Sequence, residues 1–194
     1  MRVRVLRSGI LVSALVANLA LISSAQQPNL NDFKNKLAPS VGAPEHAVDK
    51  ILEMANLKPG ETLYDLGCGD GRILIAAAKK YNVKAVGIEI SGSQAETASE
   101  KVKKAGLQNQ VKVIHGNFMH TDLSPANVVT LYLATTANDT LRPNLERYLR
   151  PNTRVVSYDY PIPGWKPMDV AESVGRHRDT HMIYLYEVPD SIKK

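Results

Sequence analysis

Residues 64–72 read Tyr64-Asp65-Leu66-Gly67-Cys68-Gly69-Asp70-Gly71-Arg72, placing three glycines at alternate positions behind an acidic residue. Glycine there lets the backbone turn tightly and approach a ligand closely, with the N–H groups of a following helix behind it. Two phosphate-binding spacings are excluded. A dinucleotide loop wants G-x-G-x-x-G facing a pyrophosphate, whereas this loop is G-x-G-x-G, and Asp65 and Asp70 would repel that anion. A P-loop needs G-K-[ST], which does not follow. Two carboxylates instead welcome the cationic end of a ligand. Three alternating glycines and two acids exceed what a tight strand-to-helix turn requires.

Other reactive side chains carry less. Cys68 lies inside the loop and reads as a small filler rather than a nucleophile. His115 and His120 are five apart and His177 and His181 four apart, with no nearby cysteine or carboxylate at ligand spacing, so no metal site is expected. Arg176-His177-Arg178 is a basic turn, either solvated or suited to lipid head groups or an acidic partner. Tyr184 and Tyr186 alternate with Ile183, Leu185 and Glu187 as one face of a strand.

The elements around the loop alternate. Pro44 fits the first turn of a helix, and Val48, Ile51, Leu52 and Ala55 follow at the spacing of one buried face. Lys58-Pro59-Gly60 stops it. Strands are then expected at 62–66, 84–90, 111–115, 128–133 and 154–158, the fourth apolar apart from Thr130 and the Tyr132 hydroxyl. Helices are expected at 72–81, at 92–105 with Ser91 as cap and Gly106 as stop, and at 136–149 with Pro143 as a break or restart. Strands separated by helices imply right-handed parallel crossovers, hence a doubly wound α/β sheet. Residues 169–174 and 182–188 are joined by a link too short for a helix and should pair as an antiparallel hairpin at the sheet edge.

With these features the chain resembles the seven-strand, class I S-adenosylmethionine-dependent methyltransferases over about residues 43–189. Their first motif, an acid followed by G-x-G-x-G, is matched by Asp65 through Gly71. The resemblance implies a mostly parallel, Rossmann-like seven-stranded sheet with a C-terminal antiparallel hairpin, and S-adenosyl-L-methionine as cofactor. It implies that Tyr64, Asp65, Gly67, Gly69, Asp70 and Gly71 back the methionine end of that cofactor. Glu89, 18 residues after Gly71, matches the acid that holds both ribose hydroxyls; a carboxylate accepts two hydrogen bonds from a vicinal diol. After the third strand, Asn117 would receive the adenine amino group and Phe118 would flank the ring.

Ala43-Pro44-Glu45, the string from Tyr64 to Ile73, and Val129-Thr130-Leu131-Tyr132-Leu133 are similar to a group of small methyltransferases with bacterial members and mitochondrial protein-lysine methyltransferases. The stretches Leu141-Arg142-Pro143 to Leu149-Arg150-Pro151 and Thr153 to Ser157 extend the likeness. It implies a lysine ε-amine of a protein substrate, with membrane proteins among the candidate substrates. Enzymes that methylate base amino groups often carry [DNS]-P-P-[YFW] after the fourth strand; Leu131-Tyr132-Leu133-Ala134 has no proline pair, and no nucleic-acid partner is expected. A lysine has an unperturbed pKa of about 10.4 and must lose a proton before attack, which a desolvated aromatic channel favours. Tyr132, after the fourth strand, and Asp159, Tyr160 and Trp165, after the fifth, are placed at the carboxyl edge to line such a channel. The alternatives are a small-molecule N- or O-methyltransferase and a non-catalytic module that only binds the cofactor.

Residues 1–25 are a separate object. Arg2, Arg4 and Arg7 precede an apolar run from Ile10 to Ile22, and Ser23-Ser24-Ala25 supplies small residues, the pattern of a secretory signal peptide cut after Ala25. An uncleaved anchor is the second reading, since residues 9–25 reach the roughly 17 needed to span a bilayer. An organellar presequence is the third. All three take the chain to a membrane. Residues 26–42 read as a polar linker and 190–194 as a tail. The 194 residues carry 44% hydrophobic and 22% charged residues, which excludes a disordered or fibrous chain, and the single Cys excludes a disulfide framework. The formal charge of +5 owes three to the arginines of the leader, so a nucleic-acid surface does not follow from it.

Overall fold

The computed structural model describes residues 42–175 and 179–192. The leader, residues 26–41 of the linker, the basic turn Arg176-His177-Arg178 and the last two residues lie outside them. Among the described residues, no helix is long and apolar enough to cross a membrane.

The chain runs α1 (Glu45–Ala55), β1 (Thr62–Leu66), α2 (Arg72–Tyr81), β2 (Lys84–Glu89), α3 (Gly92–Lys104), β3 (Val111–His115), β4 (Val128–Leu131), α4 (Thr135–Tyr148), β5 (Arg154–Tyr158), β6 (Asp169–Val174) and β7 (Thr180–Glu187). The seven strands form one sheet in the order β3-β2-β1-β4-β5-β7-β6. The first five are parallel, and β7 inserts antiparallel between β5 and β6. The expected doubly wound sheet and terminal antiparallel hairpin are both present. From β1 the chain winds outward through β2 and β3, then returns to β4 on the other side. The crevice at this reversal, between the carboxyl ends of β1 and β4, is where open α/β sheets bind ligands.

Alternation along each strand feeds two apolar layers. Leu63, Val128 and Val156 pack against Val48, Ile51, Leu74 and Ala77 of α1 and α2. Tyr64, Val129 and Val155, each a sequence neighbour of one of these, pack with Leu141 and Leu145 of α4. Gly87 sits between: an added Cβ there would come 2.5 Å from both the Cys68 Sγ and a Leu74 methyl. A bare backbone at Gly87 therefore lets the glycine loop close onto β2.

Several element ends differ from expectation. Helix α4 runs unbroken through Pro143. Proline removes the bond to the Asp139 carbonyl, but both residues lie on the exposed face, where water satisfies that oxygen. Ser91 occupies the N-cap of α3 without a side-chain cap; its hydroxyl meets that of Ser93 at 3.2 Å. Gly106 does end α3, with φ of 70° and a 3.1 Å bond from the Leu107 N–H back to the Val102 carbonyl. Strand β4 stops at Leu131 and β2 at Glu89, while β7 starts two residues early, at Thr180, because it pairs with the whole of β6.

Candidate active site

The glycine loop is tied down at both ends. The N–H groups of Gly67 and Cys68 donate to the Ile88 carbonyl at 2.8 and 3.2 Å, and Gly67, Gly69 and Gly71 all have positive φ. Gly69 turns its missing side chain toward open space, so a ligand can approach the backbone there. Glu89, 6% exposed at the end of β2, accepts from the Gly69 N–H at 2.9 Å and from the Ser91 N–H at 2.8 Å. One carboxylate thus joins the loops that follow β1 and β2.

Asp65 ends only 4% exposed beside β4, where the Thr130 hydroxyl donates to it at 2.8 Å. Burial pushes its carboxyl up to about 7; the Thr130 bond pulls it down, and the charges of Glu89 and Asp70 push it further up. Its partner is a neutral hydroxyl, not a cation. The polar Thr130 within an apolar strand was the sequence signal for this contact, since β1 and β4 pair Asp65 directly with Thr130.

The Asp70 carboxylate is held within the chain: Arg72 donates to it at 2.8 and 2.9 Å and Lys101 at 2.6 Å. The Arg72 and Lys101 hydrogen bonds hold it below the usual carboxylate range. It fastens the start of α2 to α3. Cys68 is buried, and desolvation followed by the charges of Asp65 and Glu89 pushes its thiol up, so it stays a neutral filler.

The side chain of Tyr64 packs in the apolar layer with Leu66 and Phe118, which is itself buried. The Asn117 side-chain oxygen accepts from the Met119 N–H at 2.9 Å, shaping the short 3-10 turn Phe118–His120. The residues of this edge fit the cofactor that the resemblance implies. Two buried carboxylates, Asp65 near the end of β1 and Glu89 at the end of β2, lie beside a backbone that a ligand can approach closely. Asp65 would take the amino group and Glu89 the ribose hydroxyls.

A second cluster lies at the ends of β4 and β5. The Tyr132 ring meets Tyr158 edge-on at 4.7 Å and stacks on Tyr160 at 6.4 Å. Burial, then the Asp159 charge, raises the pKa of its phenol. Asp159, at φ of 65°, presents both carboxylate oxygens to Nδ1 of His181 at 2.8 Å. Tyr158 and His181 were not singled out for this edge, because the antiparallel register of β7 brings His181 to it.

Trp165, expected at the acceptor channel, lies within the apolar layer. It is 5% exposed, donates from Nε1 to Glu146 at 2.9 Å and meets Tyr186 edge-on at 5.7 Å. It packs the loop after β5 onto the core. Trp165→Phe should therefore cost about 1–2 kcal/mol of stability through the lost indole hydrogen bond, with cofactor affinity unchanged. Urea unfolding and calorimetry check both halves.

Among the described residues no group of three or more His, Cys, Asp or Glu could hold a metal. Residues 65–169 match the family described as the ANTKMT methyltransferase domain. A protein-lysine N-methyltransferase of Saccharolobus islandicus is 44% identical over 151 residues, covering 77% of this chain and 93% of that protein. The adenine nucleotide translocase lysine N-methyltransferase of Mus musculus is 31% identical over 153 residues, covering 79% of this chain and 64% of that protein. Among solved structures, an RNA methyltransferase from Salinibacter ruber in complex with S-adenosyl-L-homocysteine is 38% identical. It superposes with a TM-score of 0.73, over 79% of this chain and 97% of that one. A glycine loop bracketed by two buried carboxylates, on a seven-stranded sheet shared with these relatives, has one account: the chain belongs to the ANTKMT methyltransferase domain family and is an S-adenosylmethionine-dependent methyltransferase.

Proposed function

We propose that the chain methylates a lysine side chain of a protein substrate, and that it works at or beyond a membrane. The observation that carries the acceptor is the Tyr132 ring set between Tyr158 and Tyr160 beside the Asp159 carboxylate. Aromatic faces and one anion suit a cationic amine. S-adenosylmethionine, when bound, supplies an activated methyl group. The chain's residues then have three tasks: to hold that cofactor through Asp65 and Glu89, to align the amine, and to exclude water. The Tyr132 phenol, raised above its ordinary pKa by burial and then by the Asp159 charge, stays protonated. Its oxygen remains free to accept an amine N–H and so turn the nitrogen lone pair toward the methyl group.

The lysine methyltransferases among the relatives support a protein acceptor. The three arginines and the apolar run of residues 10–22 support export or membrane association, with cleavage after Ala25, or an anchor or presequence if uncut. The Salinibacter ruber relative, an RNA methyltransferase, makes RNA the second reading.

The test incubates the purified full-length protein with methyl-labelled S-adenosylmethionine and heat-treated membrane and soluble extracts of the source cell. Label is expected in acid-precipitable protein, in one membrane-protein band, and lost when the labelled lysine is changed to arginine. Label in RNA or only in small molecules would replace the lysine reading; cofactor binding without transfer would leave a module. Tyr132→Phe should slow transfer on the order of tenfold, about 1.4 kcal/mol, at unchanged cofactor affinity. Initial rates and calorimetry check this.

A further inference from the structure

His181 stands outside everything assigned so far. Its ring stacks on Tyr158 at 5.4 Å, with Nδ1 2.8 Å from both Asp159 oxygens and Nε2 3.1 Å from Asp179. Both nitrogens face carboxylates, so each must carry a hydrogen, and the ring is satisfied only as an imidazolium. A neutral ring would turn one lone pair against an anion. The carboxylate it holds belongs to Asp159, which adopts left-handed φ without being glycine, directly after β5. Non-glycine residues persist in that conformation when surrounding contacts over-determine them, and such residues cluster at functional sites. Here the contacts are the His181 ring and the 2.7 Å bond from the Asp159 N–H to the Met182 carbonyl. The charge of Asp159 in turn raises the pKa of the Tyr132 phenol, whose ring meets Tyr158 edge-on at 4.7 Å. A hydrogen-bonded series therefore runs from Asp179 through His181 to Asp159, beside the aromatic cluster of Tyr132 and Tyr158.

We propose that His181 is a positioning residue for the methyl acceptor: as an imidazolium between Asp159 and Asp179 it aims the Asp159 carboxylate at the Tyr132 pocket, where that carboxylate receives the acceptor nitrogen. This deepens the lysine reading and rests on it. Two carboxylates and one imidazolium leave the trio one net negative charge, which suits a cationic side chain. The Asp159 and Asp179 hydrogen bonds raise the His181 pKa against the opposing effect of burial. The positioned form is thus present at low and neutral pH and is lost as pH rises through that raised value. Among the described residues, the other groups facing this region are the Tyr158 ring from β5 and, across a cavity of about 700 Å³ that Asp179 also lines, Glu45, His46 and Asp49 of α1.

The experiment uses the full-length protein, methyl-labelled S-adenosylmethionine and heat-treated protein extract of the source cell at graded concentration. His181→Gln, with His181→Asn as the second variant, should raise the half-saturating extract concentration at least tenfold. The maximal rate should change less than threefold, and cofactor affinity by calorimetry not at all. In the wild type, the His181 ring followed by NMR should titrate above the ordinary histidine value of about 6.5 and move down toward it in Asp159→Asn. Unchanged half-saturation in both variants, a loss confined to the maximal rate, or a wild-type ring titrating at the ordinary value would each overturn the proposal and leave the lysine reading intact. No label in any protein with the wild type would overturn the lysine reading, and this proposal with it.

Discussion

Asp65→Asn should raise the melting temperature at pH 8 while weakening S-adenosylmethionine binding by roughly a hundredfold or more, about 2.7 kcal/mol. The stabilisation follows from burial. In the folded chain the carboxyl is pushed up to about 7, whereas in the unfolded chain it titrates near its ordinary value of about 3.9. Below pH 4 both states hold the proton and nothing is lost. Between pH 4 and 7 the unfolded state is ionised while the folded state resists ionisation, so stability falls as pH rises. Above pH 7 the loss levels off at roughly 4 kcal/mol, about three pKa units. Asparagine removes that ionisation and keeps an oxygen for the Thr130 hydroxyl. Its amide N–H groups find no assured partner, which returns about 1–3 kcal/mol of the gain. A net rise of a few degrees at pH 8, vanishing at pH 5, is expected from thermal melts. The same carboxylate is the one placed to meet the cofactor's cationic amino group, so binding fails as the fold gains. In the wild type, binding must also expel the Asp65 proton. Affinity should therefore drop about tenfold from pH 8 to pH 6, one pKa unit below 7. A variant no more stable than wild type at pH 8 would show that burial does not penalise Asp65. Unchanged affinity would remove it from the cofactor site.

What could be read from the sequence divides by range. The ends of β1, α2, β3, β5 and β6 follow from local pattern, because apolar runs bounded by Gly, Pro and Asn specify elements without help from the rest of the chain. The glycine loop is local too, and Glu89 lies one crossover away, at a distance the fold class prescribes. What local pattern does not show is a partner far along the chain. Asp70 is held by Lys101, 31 residues on, as well as by the neighbouring Arg72, and Trp165 by Glu146, 19 residues back. His181 reaches Asp159 only because β7 runs antiparallel between β5 and β6, so that Tyr158 lies opposite Ile183. No periodicity encodes which acid a histidine will meet across a sheet. Pro143 failed in the opposite direction: a strong local signal for a helix break was overridden because its face of α4 is wet.

Glu89→Gln should move stability and affinity together, unlike Asp65→Asn, because Glu89 has two duties in one carboxylate. Each of its oxygens already accepts a backbone N–H, Gly69 on the loop after β1 and Ser91 on the loop after β2. Glutamine offers one acceptor and one NH2 group, so one of those N–H groups must face a donor. The lost bond and the misplaced donor should cost about 1–3 kcal/mol of folding stability near pH 7. The loop that Gly69 forms loses its tether, and the remaining lone pairs that would accept the ribose hydroxyls are halved. S-adenosylmethionine affinity should fall at least tenfold, about 1.4 kcal/mol or more. Glu89→Asp separates the two duties: it keeps the charge but is one methylene too short to span both loops, so stability should still fall. Paired melts and calorimetry on Asp65→Asn and Glu89→Gln give the contrast directly, one variant stabilised and the other destabilised at pH 8, both weak in cofactor binding. If Glu89→Gln kept wild-type stability, the two-loop tether would be wrong. If it kept wild-type affinity, the ribose would have to be held by a residue other than the acid at the end of β2.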